Sequence, residues 1–453
     1  MLAFPPGPSQ LAALRGMYGG SDLSNLSRFL TRLAEKYGAV SSWRVGRRRF
    51  YFTPEPALVE EVLVTRSRDY IKGIGTQRLK PLLGEGLLTS EDPFHLRQRR
   101  MMQPAFHRER IAHYGETMVS ATQAHASAWE NGTELAIDAE MMRLTLGIAA
   151  ATLFSANVSS QANTISDALS GVMHAFPATL SPLHSIREKL PFYVEPRRFA
   201  ESRARLDAVI FQMIAERRRD GSAGEVNDLL GMLLAARDED GTPMSDEQIR
   251  DEALTIFLAG HETTANALAW TWYLLAEHPA VEARLHEEID RVLGDRTATA
   301  EDVPRLTYTH DVVAETMRLY PPAWGLGRKA IRETKLGPWT IPEGALVLVT
   351  PLVTQRHAQW WPQPHTFRPE RWAEDAKGRP KFAYFPFGGG GRLCIGEPFA
   401  WMEAVLIVAT IAQRWRFIRT ETGPIEMQPL VTLRPKTAVK VRAERRVRVP
   451  QAV

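Results

Sequence analysis

Apolar positions recur three and four residues apart through much of the chain, and this spacing predicts helices over residues 94–102, 200–219, 247–277, 280–293, 311–319 and 398–415. Two stretches are β-rich instead: AVSSWRVGRRRFYF over 39–52, and ALVLVT over 345–350, the second introduced by the turn signal Ile341-Pro342-Glu343-Gly344. They stand about 300 residues apart and are expected to pair within one domain. No repeat and no Gly/Ser- or Pro-rich linker divides the sequence, while 220–225 and 238–243 read as loops between helices. The pattern predicts a mainly α fold with smaller β-sheet regions, α+β in class, as a single domain over 1–453.

With 453 residues, 44% hydrophobic and 24% charged, the chain is globular in composition and long enough to bury a large core. A formal net charge of +4 gives no reason to expect a nucleic-acid partner, and the basic run at 442–448 reads as a solvated final strand or tail. The first twenty residues lack the segments of a secretory signal, and the best candidate membrane span, 253–276, is broken by Gly260, His261, Glu262 and Asn266. A cytoplasmic protein without a membrane anchor is expected. Cys394 is the sole cysteine, which excludes an internal disulfide, a zinc finger and a Cys-x-x-Cys redox pair.

That cysteine lies in Phe387-Gly388-Gly389-Gly390-Gly391-Arg392-Leu393-Cys394-Ile395-Gly396, just before a helix that opens with Glu397 and Pro398. The glycines let backbone approach a large planar ligand, and the helix N-terminus and Arg392 favour a thiolate. From these residues alone three readings stand: a tight turn around a buried cysteine, a nucleophile with a His base elsewhere, or a ligand. The segment resembles the cysteine-ligand loop of the cytochrome P450 family, Phe-x-x-Gly-x-Arg-x-Cys-x-Gly, at Phe387, Gly390, Arg392, Cys394 and Gly396. The resemblance implies a cytochrome P450 fold and a haem b (iron protoporphyrin IX) whose iron takes Cys394 as its axial thiolate.

Other segments extend the resemblance. In Glu315-Thr316-Met317-Arg318 the spacing puts acid and guanidinium on one helix face, which by itself usually means a solvated pair. Followed by Leu319-Tyr320-Pro321-Pro322 and by Phe367-Arg368-Pro369-Glu370-Arg371-Trp372, it is similar to the family's Glu-x-x-Arg helix and Pro-Glu-Arg segment. Glu315, Arg318 and Arg371 are then implied to form a buried structural ion network that fixes the thiolate loop.

Ala259-Gly260-His261-Glu262-Thr263-Thr264 interrupts a long apolar helix with polar groups. A zinc-protease reading fails because the second His position is Ala265, while threonine hydroxyls bonded back to preceding carbonyls remain open. The segment resembles the family's oxygen-activation segment, in the Glu-containing form found among soluble bacterial fatty-acid hydroxylases. It implies that the Thr263 hydroxyl stabilises bound dioxygen and passes protons, that Glu262 links this relay to solvent, and that Gly260 and Ala259 shape the space above the porphyrin.

The segment with His95 and Arg99, ahead of Pro104-Ala105-Phe106, is similar to the family helix that holds the haem propionates, and Arg328 and Arg392 are the other implied partners. Gly325-Leu326-Gly327-Arg328-Lys329-Ala330 matches a dinucleotide fingerprint but follows no predicted strand, so no nicotinamide or flavin domain is expected. Electrons are expected from a ferredoxin- or flavodoxin-type donor with its reductase, docking on Arg97, Arg100, Arg108, Arg379 and Lys381. By the family's layout Ile74, Leu82, Leu87, Phe176, Ala259, Ala323, Leu326 and Leu430 are candidate walls of an apolar pocket. The implied activity is monooxygenation of a hydrophobic small molecule, a fatty acid, terpenoid or steroid-like compound, by hydroxylation or epoxidation with dioxygen. A peroxide-using or rearranging relative, or a haem sensor or carrier without turnover, are the alternatives.

Overall fold

A computed structural model describes residues 4–19, 23–155, 195–219, 228–374 and 378–446, with 195–198 described by backbone alone. Its axis is the 32-residue helix Asp246–Glu277. Ser245 starts this helix with a capping box, its hydroxyl accepting from Gln248 N while the Gln248 side chain accepts from Ser245 N, and Asp246 and Glu247 complement the dipole in the first turn. From Ala253 to Leu258 and from Thr264 to Leu275 the helix is buried on every side, as expected of a core helix with little amphipathic character. It packs along helix Ile137–Phe154 and against helix Glu397–Ala412, which also lies on helix Arg108–Ser127. Near its C-terminal end Trp270 donates to Leu433 O at 3.1 Å and stacks on Tyr320 with ring centroids 4.0 Å apart.

A five-stranded sheet flanks this helical body in the order Ser41–Val45, Arg48–Thr53, Leu346–Val349, Leu326–Ala330, Tyr70–Lys72. The two β-rich stretches meet here, Arg48–Thr53 lying parallel to Leu346–Val349 with Phe50 opposite Leu346. The other pairings in the sheet are antiparallel. Smaller sheets follow: Glu134–Ala136, Lys440–Arg445 and Trp415–Arg419 in one, and the hairpin of Met427–Pro429 with Leu433–Pro435 in another.

Several sequence expectations need correction. The helix read over 398–415 ends at Ala412; Trp415 begins a strand because it pairs with Arg445 and packs its ring on Trp129. The sequence pattern predicts neither helix Arg108–Ser127 nor helix Ile137–Phe154; the second carries buried residues around much of its circumference, which blurs the periodic signal, whereas the buried residues of the first share one face, where Gly115 and Thr122 interrupt the apolar pattern. The apparent dinucleotide fingerprint is itself strand Leu326–Ala330, so it opens no helix and offers no phosphate site. Residues 220–225 lie outside the described residues, whereas 238–243 is a loop in which Asp238 Oδ1 accepts from Asp240 N and Thr242 N. Among the described residues no helix is long and apolar enough to cross a membrane.

Candidate functional site

The glycine run before Cys394 is forced by the fold. Gly388 and Gly390 have φ of +77° and +68°, a region that L side chains rarely occupy. A Cβ at Gly389 would lie 2.5 Å from the Phe382 ring, and one at Gly390 2.1 Å from Leu63 O. These two close approaches are therefore to protein and not, as the sequence suggested, to a planar ligand; only Gly391 faces open space. The turn is closed by Cys394 N donating to Phe387 O at 3.0 Å.

Cys394 is deep in the chain and yet exposes its surface, so that surface opens onto an interior space. Burial pushes the thiol pKa up, while the N–H groups of Gly396 and Glu397 and the Arg99 guanidinium favour the anion. Arg392, expected to supply that positive charge, turns away to Ser90 O at 2.8 Å and Glu91 Oε2 at 3.0 Å. Arg99 instead donates to Leu393 O at 2.7 Å, beside the sulfur.

Around this loop cationic and donor groups gather from four segments: Lys72, His95 with Arg99, Arg328, and Arg392. Arg328 has no ion pair among the described residues, its one hydrogen bond going to Gly327 O, and burial with the neighbouring Arg392 lowers it to about 10. His95 is pushed down to about 4 by burial, Arg392 and Lys72, so it is neutral at pH 7, with Nδ1 3.1 Å from Asp92. An anion brought to its free edge would favour its protonation. Lys72 was not foreseen in the sequence. It stands opposite Arg328 in the sheet, and burial and Arg392 lower it to about 7.

Between Glu252 and Leu275 the long helix has accessible surface only at Ala259, Gly260 and Thr263, which share a face. Thr263 Oγ1 donates to Ala259 O at 2.8 Å, and a Cβ at Gly260 would meet only Leu153 Cδ1, at 3.7 Å. Glu262 points elsewhere, to the late hairpin: its Oε1 accepts from Arg434 Nε at 3.0 Å, Arg434 Nη2 at 2.7 Å and the Thr432 hydroxyl. Neither Thr432 nor Arg434 stood out in the sequence, since pairing across about 170 positions leaves no local pattern.

Glu315, Arg318 and Arg371 form one fully buried cluster. Arg318 grips Glu315 with Nε at 2.8 Å and Nη2 at 2.9 Å, and Arg371 Nε adds a bond of 2.8 Å. The remaining guanidinium hydrogens go to carbonyls of Gln355, Pro362, Gln363, Pro364 and Thr366, so the two arginines tie down the segment leading toward the thiolate loop. Gln355 Oε1 completes the link by accepting from Phe385 N at 3.0 Å.

The proposed pocket walls fare unevenly. Ile74, Ala323 and Leu326 keep partial exposure, but Leu82 (0%) and Leu430 (4%) are closed over by neighbours and belong to the packed interior. Phe176 lies outside the described residues. Two of the basic docking candidates already have acidic partners, Arg97 with Asp238 and Arg100 with Glu239 at 2.7 Å. Arg379 lies over the Trp361 ring, 3.8 Å from its centroid.

Glu403 is a further group the sequence did not mark. It is fully buried on helix Glu397–Ala412, and burial raises its pKa to about 8 against the opposing pull of the Thr264 hydroxyl. A carboxyl raised in the folded state contributes stability that is lost as pH climbs from about 4.5 to 8. Glu403→Gln is expected to remove that share, gaining roughly 3 kcal/mol on the parent between pH 5 and 8 in urea unfolding. A gap that stays constant with pH rules out a neutral Glu403.

A deep thiol facing an interior space, beside a cationic cluster whose Arg328 is uncompensated, suits a planar metal chelate with anionic edge groups. This arrangement is compatible with haem, for which Cys394 could serve as the soft ligand and Arg99, Arg328, Arg392 and His95 could meet two carboxylates. Comparison with known proteins agrees. The family described as Cytochrome P450 matches residues 5–441. Cyclooctatin synthase of Streptomyces melanosporofaciens is 39% identical, over 88% of this chain and 87% of its own length. Cyclooctat-9-en-7-ol 5-monooxygenase of the same species is 40% identical (84% and 83%), and pentalenene oxygenase of Streptomyces avermitilis 34% (91% and 90%). This chain belongs to the cytochrome P450 family, whose members are haem-thiolate monooxygenases that use dioxygen and a redox partner.

Proposed function

We propose that the chain holds haem through Cys394 and hydroxylates or epoxidises an apolar terpenoid, drawing electrons from a separate ferredoxin- or flavodoxin-type protein. The observation that carries the reading is the Cys394 surface turned to an interior space beside the Arg328 and Arg392 guanidiniums. Haem, when bound, supplies the activation of dioxygen and its insertion into substrate. Cys394 gives up its proton on ligation, and the Gly396 and Glu397 N–H groups with Arg99 hold the resulting charge on Sγ. Arg328, Arg392 and Arg99 neutralise the propionates, which relieves the crowding of positive charge among them.

On the other side Thr263 Oγ1 spends its hydrogen on Ala259 O and turns its lone pairs to the cavity, so it accepts a hydrogen bond from a water or substrate-side donor and fixes where protons enter. Glu262 is held by Arg434 and the Thr432 hydroxyl, so its carboxylate pins the late hairpin to the turn that carries Thr263. The relatives named for cyclooctat-9-en-7-ol and pentalenene support a terpenoid, as do the apolar surfaces of Ala259, Ala323 and Leu326.

The test is turnover of a terpene panel with a ferredoxin and its reductase, following product and reductant together. Thr263→Ala is expected to keep consuming reductant while product per electron falls roughly tenfold, the scale of one lost proton-positioning contact. Equal coupling in both proteins removes Thr263 from the relay. Reductant consumption that no terpene stimulates removes the terpenoid reading.

A further inference from the structure

Residues 84–91, between helix Lys80–Leu83 and helix Phe94–Met102, are laid tightly on the long helix. A Cβ at Gly84 would lie 1.9 Å from the Asp251 carboxylate, and one at Gly86 2.2 Å from Thr255 Oγ1. Glu85 N donates to Asp251 Oδ2 at 2.8 Å. Leu87 is then gripped at both backbone groups: its N–H donates to Glu252 Oε2 at 2.8 Å, and its carbonyl accepts from Lys72 Nζ at 2.8 Å. Lys72 Nζ also donates to Leu88 O. Glu252 and Lys72 are 1% and 7% exposed, and Glu252 Oε1 has no partner among the described residues.

Burying an amine and a carboxyl to close a loop is costly when apolar side chains could close it, so their use calls for a reason. Position supplies one. Around a helix of 3.6 residues per turn, residue 252 lies about 20° from each of 259 and 263, which stand about 40° apart on either side of it. The accessible stripe of Ala259, Gly260 and Thr263 ends at Thr255, which is buried where Gly86 lies on it. The segment 84–87 is therefore the end wall of the cavity along the helix, and the Lys72–Leu87–Glu252 clamp holds that wall in place. The clamped residue, Leu87, is one of those expected at the pocket, but its side chain is 7% exposed and packed in the interior, so the clamp fixes the backbone of the wall.

We propose that Glu252 and Lys72 are specificity-determining positioning residues, which by clamping the Leu87 backbone set how long an apolar substrate the cavity accepts. The proposal rests on the haem-monooxygenase reading for its cavity. Its test is spectral titration of the haem-loaded protein with monoterpene, sesquiterpene and diterpene alcohols, for the parent, Glu252→Leu, Glu252→Gln and Lys72→Met. Glutamine keeps an acceptor for Leu87 N, so Glu252→Gln is expected to preserve the parent's order and ratios of Kd. Glu252→Leu and Lys72→Met are expected to shift the ratio about tenfold toward the longest ligand. Ratios identical in all four proteins overturn the proposal.

A red-shifted reduced carbonyl band in each protein keeps the two readings apart: its loss in the parent sinks the haem-thiolate assignment, whereas its presence with unchanged ratios sinks only the clamp. Should Glu252→Leu and Lys72→Met fail to fold, hydrogen exchange in the parent decides. A Leu87 amide protected to the level of the long helix is the expected result, and one that exchanges as freely as an exposed loop overturns the clamp.

Discussion

Cys394→Ser is expected to fold, to bind haem more weakly, and to give a reduced carbonyl adduct without the red-shifted band of a thiolate, with product at the limit of detection. The loop that presents residue 394 is built from backbone: the Cys394 N to Phe387 O bond, the left-handed Gly388 and Gly390, and the close approaches of Gly389 and Gly390. None of these needs sulfur, so the loss belongs to chemistry. In the protein without iron, burial keeps the thiol protonated despite the Gly396 and Glu397 N–H groups and Arg99. A serine hydroxyl, far less acidic and a poorer electron donor, cannot replace it in driving O–O cleavage. A serine variant that retains the red-shifted band places the ligand elsewhere.

Glu315→Gln carries the largest expected loss of stability, about 3–5 kcal/mol, because it leaves two fully buried guanidiniums facing one neutral amide. Burial already lowers the Arg371 pKa against the pull of Glu315. The same carboxylate accepts from Arg368 N at 3.0 Å and Trp372 Nε1 at 3.1 Å, so four donor groups lose their anion together. Thermal or urea unfolding of the haem-loaded protein reads the loss directly. Because the arginines also hold carbonyls between Gln355 and Thr366, the variant is expected to lose its thiolate signature faster on standing than it loses helix content. If Glu315→Gln does not fold, Arg371→Lys gives a milder version, with one hydrogen-bonding nitrogen in place of a fork. A Glu315→Gln protein within about 1 kcal/mol of the parent shows that the cluster bears no such strain.

What was legible in the sequence is what lies close together along it. Phe387 to Gly396 is a single continuous segment, and Glu315 with Arg318 is one helical turn. The start of the long helix, read at residue 247 from its apolar spacing, falls within one residue of Asp246. The walls of the site were not legible. Lys72 reaches its place only through a three-residue strand paired with Leu326–Ala330, and Glu262 finds Arg434 only when the late hairpin folds against the helix. Leu82 and Leu430 read as pocket residues because apolar character suits a core and a ligand wall equally; exposure, which the sequence does not carry, separates the two. Nearness in sequence places the charge of Arg392 beside Cys394, yet Glu91, far off in the chain, claims it.

The parallel pairing of Arg48–Thr53 with Leu346–Val349 has a consequence for birth on the ribosome. With translation at about 5–20 residues per second, the earlier strand waits on the order of 15–60 s before its neighbour emerges. Throughout that interval an apolar edge holding Phe50, Tyr51 and Phe52 has no partner on that side, and a nascent chain halted in that window presents an open template to chaperones and to other copies of itself.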